Sequence, residues 1–327
     1  MNNEQNHNKR QKGRTGTKPH ASVRMLHPSF KLLLLLAILA LASCIRDDLE
    51  PCPPLSIKLD ITDKNYTNVA DVERATGLAL ALPADQPFRY YIQRLYYTLY
   101  NRDTQQLITT RRLHDVQGEA EMATVYDIPA DLPYGNYALV VWGNIDSDEG
   151  IMGNGGAYDL HQDRVEGYDV YHGLLTFTYD EYHTDFVCPL QRVKGNLLIL
   201  AEGLPANVNW SRKAVTGVSG NVGYELDYTE GDAETVVTER NWQAGLNDVN
   251  SQTYLAPTVT SKSTVYVRFF DSPEMQTPTA EPEPVDVQMN RNEITAIRYV
   301  YDPATGQFHI YLLVDDSWKV VHDMGIE

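Results

Sequence analysis

The residue with the clearest chemistry is Cys44, which ends the run Leu41-Ala42-Ser43-Cys44. A leucine-rich segment, 32–41, stands before it with Lys31 in front, and this order of charge, apolar run and small residues is typical of a secretory signal. A cysteine at the cleavage point indicates a lipoprotein signal, in which the thiol is acylated and the mature chain begins at Cys44. A transmembrane anchor, the alternative, needs about 20 apolar residues, more than this run has.

We therefore predict a lipoprotein signal peptide over residues 1–43 and a lipidated, acidic, proline-rich tether over 44–54. Residues 1–24 are unusual for a signal, because they carry six basic side chains and few apolar ones. Met25 begins a signal of ordinary length and is an alternative start of the chain.

The chain from Cys44 onward is strongly acidic. Its 284 residues carry 20 basic and 43 acidic side chains, a net charge of about −23, against −17 for the full chain. Nucleic acid is excluded as a partner, because its binding depends on phosphate neutralisation by Lys and Arg. Anionic lipid would also repel this surface, so acyl chains must supply the attachment, at about 0.8 kcal/mol per buried methylene.

Two cysteines remain once Cys44 is lipidated, Cys52 and Cys188. An oxidising compartment favours a disulfide between them. In the chain-entropy model, a disulfide that closes such a long loop stabilises the folded state by about 4–5 kcal/mol. The alternative is two unpaired thiols, one beside the tether and one in a strand.

The chain shows little that resembles a catalytic or metal site. Residues 146–150 (DSDEG) have some character of a calcium loop, but Gly150 and Ile151 stand where Asp or Asn and then Gly are required, which favours a solvated turn. His172, Glu181 and His183 lack metal-ligand spacing. GxSxG, P-loop and GxGxxG sequences are absent. We predict a protein that is not an enzyme and uses no cofactor or metal.

Short strands separated by turns dominate the remaining sequence. Segment 57–61 alternates strictly, 95–100 sets Leu and Tyr on alternate faces, and 137–142 is apolar on both faces, as a central strand is. A short helix is expected within 71–82. Further strands are expected at 107–110, 186–190, 197–200, 222–228 and 265–269, with a terminal hairpin over 294–314.

This pattern predicts an all-β fold built of sandwiches. A break near 189–192 divides it into an N-terminal β-sandwich, 55–190, and a C-terminal β-sandwich, 191–327. Trp142 belongs to an apolar strand and is expected in the core. Three other tryptophans stand in more polar surroundings, where they could stack on sugars: Trp210, Trp242 and Trp318.

The run Cys44–Pro54 (CIRDDLEPCPP) resembles the mature N-terminus of the FimB-like family of fimbrial anchor lipoproteins from Bacteroidales. Three further segments are similar to elements of that family. They are 133–144, with PYGNY leading to VVWGN, 188–192 (CPLQR) and 254–258 (YLAPT). The resemblance covers the whole mature chain, and its first block is the most specific.

The resemblance implies two transthyretin-like β-sandwich domains in tandem and an outer-membrane lipoprotein at the base of a fimbrium. Such an anchor holds the filament to the cell surface and limits its length. Its partners would be pilins, the fimbrial subunits, engaged by strand complementation, which is a form of β-augmentation. Asp47-Asp48 fits the acidic signal that directs such lipoproteins to the outer face.

The same resemblance implies that the anchor escapes the proteolytic cut that activates pilins, since a cut near the lipid would release it. Arg46 and Arg111-Arg112 are possible cut sites that packing must protect. Hairpin 294–314 with the tail 315–327 is the candidate strand-exchange element, and an ordinary intradomain hairpin is the alternative. Two other functions stay open, a glycan-binding surface lipoprotein and a fimbrial tip adhesin.

Overall fold

The computed structural model describes residues 54–149, 151 and 158–322. The predicted signal, Cys44, Arg46, Cys52 and the rest of the tether up to residue 53 lie outside the described residues. Within the described part, no helix is both long and apolar enough to cross a membrane.

The described chain is predominantly β, as predicted. Its helices include α1 (Val69–Thr76) and α2 (Phe88–Tyr91), and Gln162–Arg164 and Glu230–Asp232 form short 3-10 helices. The strands of the first half are β1 (Ser56–Ile61), β2 (Arg94–Asn101), β3 (Leu107–Asp115), β4 (Ala123–Thr124), β5 (Gly135–Gly143), β6 (Tyr158–Asp159), β7 (Tyr171–Tyr179) and β8 (Asp185–Arg192). Those of the second half are β9 (Gly195–Glu202), β10 (Trp210–Ser219), β11 (Asn221–Val222), β12 (Ala233–Asn241), β13 (Val249–Leu255), β14 (Ser263–Phe270), β15 (Val285–Val287), β16 (Ile294–Asp302), β17 (Gln307–Val314) and β18 (Ser317–His322).

The first half forms one sheet in the order β3-β2-β5-β7-β8-β1-β4. β7 and β8 share only two residue pairs, so the ladder turns there, and side chains of β1 and β8 pack with those of β2 and β5 in one core. Gly173 permits this approach, because a Cβ atom there would lie 2.5 Å from Cδ2 of Leu190 and 2.7 Å from the carbonyl oxygen of Pro189.

The second half contains two larger sheets that face each other, and its short strand β11 pairs with β6 of the first half. One has the order β12-β10-β14-β15 and the other β13-β9-β16-β17-β18. Inward side chains of both sheets, such as Val215, Val265, Ile297 and Phe308, share a single core. This core extends to the outer face of the first sheet, where Trp142 is fully buried as predicted. The division of the chain at 190/191 stays a prediction.

Two local predictions differ from the structure. The expected helix over 71–82 ends early, because Gly77 takes a left-handed conformation (φ 72°) and its N–H caps the carbonyl of Glu73. The expected strand over 222–228 is wrong beyond Val222. Leu226 has φ 57°, and its N–H donates to the carbonyl oxygen of Gly223, so the segment turns back here. Alternation here reflects loop side chains that pack on the core, not a strand.

Candidate functional site

The first described strand, β1, begins two residues after the tether and lies inside the first sheet. It runs parallel to β8 over six residue pairs, from Ser56 with Asp185 to Ile61 with Leu190, and its other edge meets β4. Its alternating apolar side chains, Ile57, Leu59 and Ile61, are buried. Because each such side chain contributes about 1.5–3 kcal/mol on burial, removal of β1 from the sheet is strongly unfavourable.

A buried arginine joins the end of β1 to the second half of the chain. Arg192, the last residue of β8, is 1% exposed, and its guanidinium donates to Asp169 at 3.0 Å and to Oδ1 of Asn292 at 2.7 Å. Asp63, just after β1, accepts from the Arg192 backbone N–H at 2.9 Å and from Arg291 at 2.8 Å. Charge-assisted bonds of this kind are strong, so they tie β1, β8 and the segment before β16 together.

The sequence did not identify this junction. Arg192 belongs to the segment 188–192 that resembles an anchor-family element, but nothing in that segment indicates that its partners are 100 residues away, at 291 and 292. The guanidinium also lies 4.2 Å from the ring centroid of Tyr66, which adds a cation–π contact.

The C-terminal region ends in an edge strand. β16 lies between β9 and β17, and β18 pairs with β17 alone at the margin of the five-stranded sheet. The predicted exchange hairpin, 294–314, is thus internal to its own sheet, whereas β18 comes from the predicted tail. Val320 is 56% exposed and Val321 36% exposed on this strand. An exposed strand edge carries unpaired backbone donors and acceptors that another chain can use.

One aromatic side chain holds β18 against the rest of the fold. Trp318 packs with a small cluster that includes Val72 of α1 and Ile294 of β16. Its indole Nε1–H donates to the carbonyl oxygen of Ala75 at 3.1 Å, close to the end of α1. The edge strand is therefore fastened at its start, and the part that follows is open to solvent.

The predicted cut site at Arg111-Arg112 lies within β3, which is paired to β2. Arg112 is exposed, but its guanidinium makes two bonds of 2.5 and 2.7 Å to the carboxylate of Asp148. Arg111 donates to Asp127 at 2.6 Å. The Arg112 guanidinium lowers the pKa of the Asp148 carboxyl, so this pair stays ionised at neutral pH. Both arginine side chains are thus engaged, and Arg111 pairs with Tyr97 of β2, although a bulge interrupts the ladder at Arg112.

The residues considered for metal binding have protein partners. Asp146 accepts a hydrogen bond from the Tyr158 hydroxyl, and Asp148 binds Arg112. His172 is buried with its ring nitrogens 3.0 and 2.7 Å from the carbonyl oxygens of Val141 and Tyr224, whereas His183 is exposed beside Asp180. The described residues include no group of three or more His, Cys, Asp or Glu that could hold a metal ion.

Cys188 lies on β8 and is fully buried. Burial raises the pKa of its thiol to about 12, so the thiol is protonated at neutral pH and is a poor nucleophile. Since Cys52 lies outside the described residues, the Cys52–Cys188 disulfide stays a prediction.

The tryptophans considered for sugar stacking mostly face inward. Trp242 packs against the second core, with its ring steeply inclined to that of Phe269, and Trp318 packs on α1. Trp210 begins β10 and is half-buried. Trp242 and Trp318 are therefore not exposed platforms for sugar stacking.

Comparison with known proteins gives a likeness of fold. No protein-family model matches the chain, and no curated protein sequence matches it with significance. Among solved structures, a candidate adhesin from Bacteroides thetaiotaomicron has a TM-score of 0.50 at 14% identity, covering 84% of this chain and 100% of its own. A candidate polysaccharide-binding protein from the same species also has a TM-score of 0.50, at 9% identity, covering 82% and 99%.

The fimbrial anchor protein Mfa2 from Porphyromonas gingivalis is a further neighbour. It has a TM-score of 0.44 at 14% identity, and the match covers 81% of this chain and 99% of Mfa2. A fimbrial assembly protein from Parabacteroides distasonis is similar at 10% identity. The structural neighbours of this chain include a fimbrial anchor protein, a fimbrial assembly protein and candidate adhesins of Bacteroidales.

Proposed function

We propose that this protein anchors a fimbrium to the outer membrane. A lipid on Cys44 would hold the N-terminal end at the cell surface, and the edge strand β18 would pair with a pilin. The body between them would be two tandem transthyretin-like β-sandwiches. The role is mechanical, and we propose no catalytic activity.

The observation that carries the proposal is the opposite placement of the two terminal strands. β1 follows the tether and is enclosed between β8 and β4, whereas β18 stands at a margin with exposed valines. A tether needs an end that stays folded under load, and a docking strand needs an open edge. The chain offers each at the appropriate terminus.

The load would pass through ordered contacts. A pull on the tether acts on β1, whose six parallel pairs with β8 and buried side chains resist extraction. Arg192 and Arg291 then connect the end of β1 to the segment before β16. From there the sheet continues through β17 to β18, so lipid and docking edge would be joined by paired strands and by the hydrogen bonds of Arg192 and Arg291.

The same arrangement supports a limit on filament length. In strand complementation each subunit both gives a strand and receives one. A subunit that keeps β1 in its own sheet has no empty groove at that position for a neighbour's strand. Arg111 and Arg112 of β3 are both held in ion pairs, which would help to protect this possible cut site. Such a subunit makes one filament contact and ends polymerisation.

Site-specific photo-crosslinking tests the docking edge. A photo-reactive residue replaces Val320 on β18, and in a matched control it replaces Val187, which is 49% exposed on β8 in the first sheet. In cells that make fimbriae, we expect a crosslinked product with a pilin from position 320 and none from position 187. Equal crosslinking from both positions, or none from 320, contradicts docking at β18.

A further inference from the structure

A cavity of about 500 Å³ lies between the two sheets of the second half. It is lined by strands of both sheets, including their edge strands β12 and β13. Its apolar wall includes Ile199, Val267 and Phe269. The volume is in the range that small-molecule sites occupy. Most of the remaining lining is polar, including Ser211, Asp248 and Gln252.

The cavity contains a buried lysine with an incomplete set of partners. Lys213 on β10 is 3% exposed, and among the described residues the one hydrogen-bond acceptor of its ammonium group is the hydroxyl of Thr253. No carboxylate of the described chain forms a salt bridge with it. A buried ammonium group has three donors and normally pairs with a charge or with several acceptors.

A second buried lysine, Lys194, has several acceptors for its ammonium group, as buried lysines usually do. Lys194, at 0% exposure, donates to the carbonyl oxygens of Leu160 at 2.6 Å and of Glu166 at 2.5 Å. It therefore has a structural role with its charge compensated by backbone dipoles. Lys213 has no comparable carbonyls among the described residues, and it faces a cavity.

Two further polar groups of the cavity have no partner among the described residues. They are the hydroxyl of Thr238, on a side chain that is 7% exposed, and the indole Nε1–H of Trp242. Unsatisfied buried polar groups are rare in native structures and require an explanation. An ammonium group, an indole N–H and a hydroxyl can all donate to oxygen, and none of the three has a full set of partners among the described residues. The lining also holds acceptors, the Asp248 carboxylate among them, so it is these unmet donors that point to a ligand with acceptor oxygens.

We propose that this cavity binds a small organic carboxylate. Its apolar body would lie against Ile199, Val267 and Phe269, and its oxygens would accept from Lys213, Thr238 and Trp242. A single cation with two neutral donors suits a monoanion. A phosphate dianion is better matched by several cationic groups, and the nearby Arg240 is already paired with Glu166.

The titration of Lys213 gives a second readout for this site. Burial lowers the pKa of Lys213 to about 7, with Arg240 on β12 lowering it further and Glu166, before β7, raising it. A bound carboxylate stabilises the ammonium form, so binding takes up a proton where the free lysine is neutral. Affinity for a carboxylate is therefore expected to fall as pH rises from 6 to 9.

Isothermal titration calorimetry with 3-phenylpropionate tests the proposal on the purified chain from Cys44. We expect saturable binding that is about tenfold or more tighter than that of 3-phenylpropanamide, which is neutral and of similar shape. Lys213→Met should weaken binding of the carboxylate by about tenfold or more and remove its pH dependence. This variant should fold, because a methionine of similar length replaces an unpaired buried charge.

Two further variants complete the test. Thr238→Val keeps the shape of the side chain and removes one donor, so it should weaken carboxylate binding without loss of the fold. Lys262→Met changes an exposed lysine paired with Asp286 and should bind as the wild type does. Absence of saturable binding by the wild type, equal affinity for acid and amide, or unchanged affinity in Lys213→Met overturns the proposal. None of these results bears on docking at β18.

Discussion

β1 and β18 are both six-residue strands near an end of the described chain, yet they differ in their number of paired neighbours and in the burial of their side chains. β1 has a hydrogen-bonded neighbour on each side and three buried aliphatic side chains. β18 has one neighbour and exposed valines. Strand length alone thus says little about function, whereas position in the sheet separates a strand that can bear load from one that can accept a partner.

The difference is present in the side chains. Ile57-Lys58-Leu59-Asp60-Ile61 alternates apolar and charged residues, which suits one buried face. Ser317-Trp318-Lys319-Val320-Val321 places two valines in succession, so one of them must point away from any single core. Trp318 fastens the strand to α1.

Leu59→Ala should produce the largest effect on this comparison. Leu59 is fully buried in β1, and deletion of buried leucine atoms destabilises proteins by about 2–5 kcal/mol. The free energy of unfolding from urea titration measures this loss. Lys58→Ala, on the exposed face of the same strand, is the matched control and should change stability by about 0.5 kcal/mol or less. Similar values for the two variants would mean that β1 is not the enclosed strand described above.

Trp318→Ala should have a smaller and more local effect. Trp318 is half-buried, so we expect a loss of about 1–2 kcal/mol, below the range for fully buried aromatic residues. Amide hydrogen exchange should accelerate in β18 and stay slow in β16, which is paired on both sides. Trp318→Phe keeps most of the packing but loses the bond to Ala75, so its stability and its exchange rate in β18 should lie between those of the wild type and Trp318→Ala. Uniform acceleration through β16, β17 and β18 would contradict a locally fastened edge.

Much of the fold could be predicted from local pattern. β1 and β5 were predicted because strict alternation, or an unbroken apolar run, leaves few alternatives. The strand expected over 222–228 was wrong because Tyr224, Leu226 and Tyr228 pack on the core from a loop, and alternation does not distinguish these cases. The helix expected within 71–82 extends past the C-terminal end of the observed α1, because Gly77 takes a left-handed conformation there.

The functional regions were predicted less completely, for reasons of tertiary placement. The sequence pointed to the C-terminal hairpin and tail, but only sheet order distinguishes internal β16 from marginal β18. Lys213 stands in the polar run Ser211-Arg212-Lys213, which gives no sign that its side chain enters a cavity between sheets. Cys44 and its lipid rest on the sequence pattern, since they lie outside the described residues.

The most direct test of the anchoring account is the location of fimbriae in cells that carry Cys44→Ala, with residues 1–43 replaced by an ordinary cleavable secretory signal. We predict a folded protein that leaves the membrane fraction, and fimbriae that collect in the medium. A Val320→Lys strain is the companion, in which the protein should stay in the outer membrane while fimbriae are still shed. Fimbriae that remain attached to Cys44→Ala cells would contradict the account.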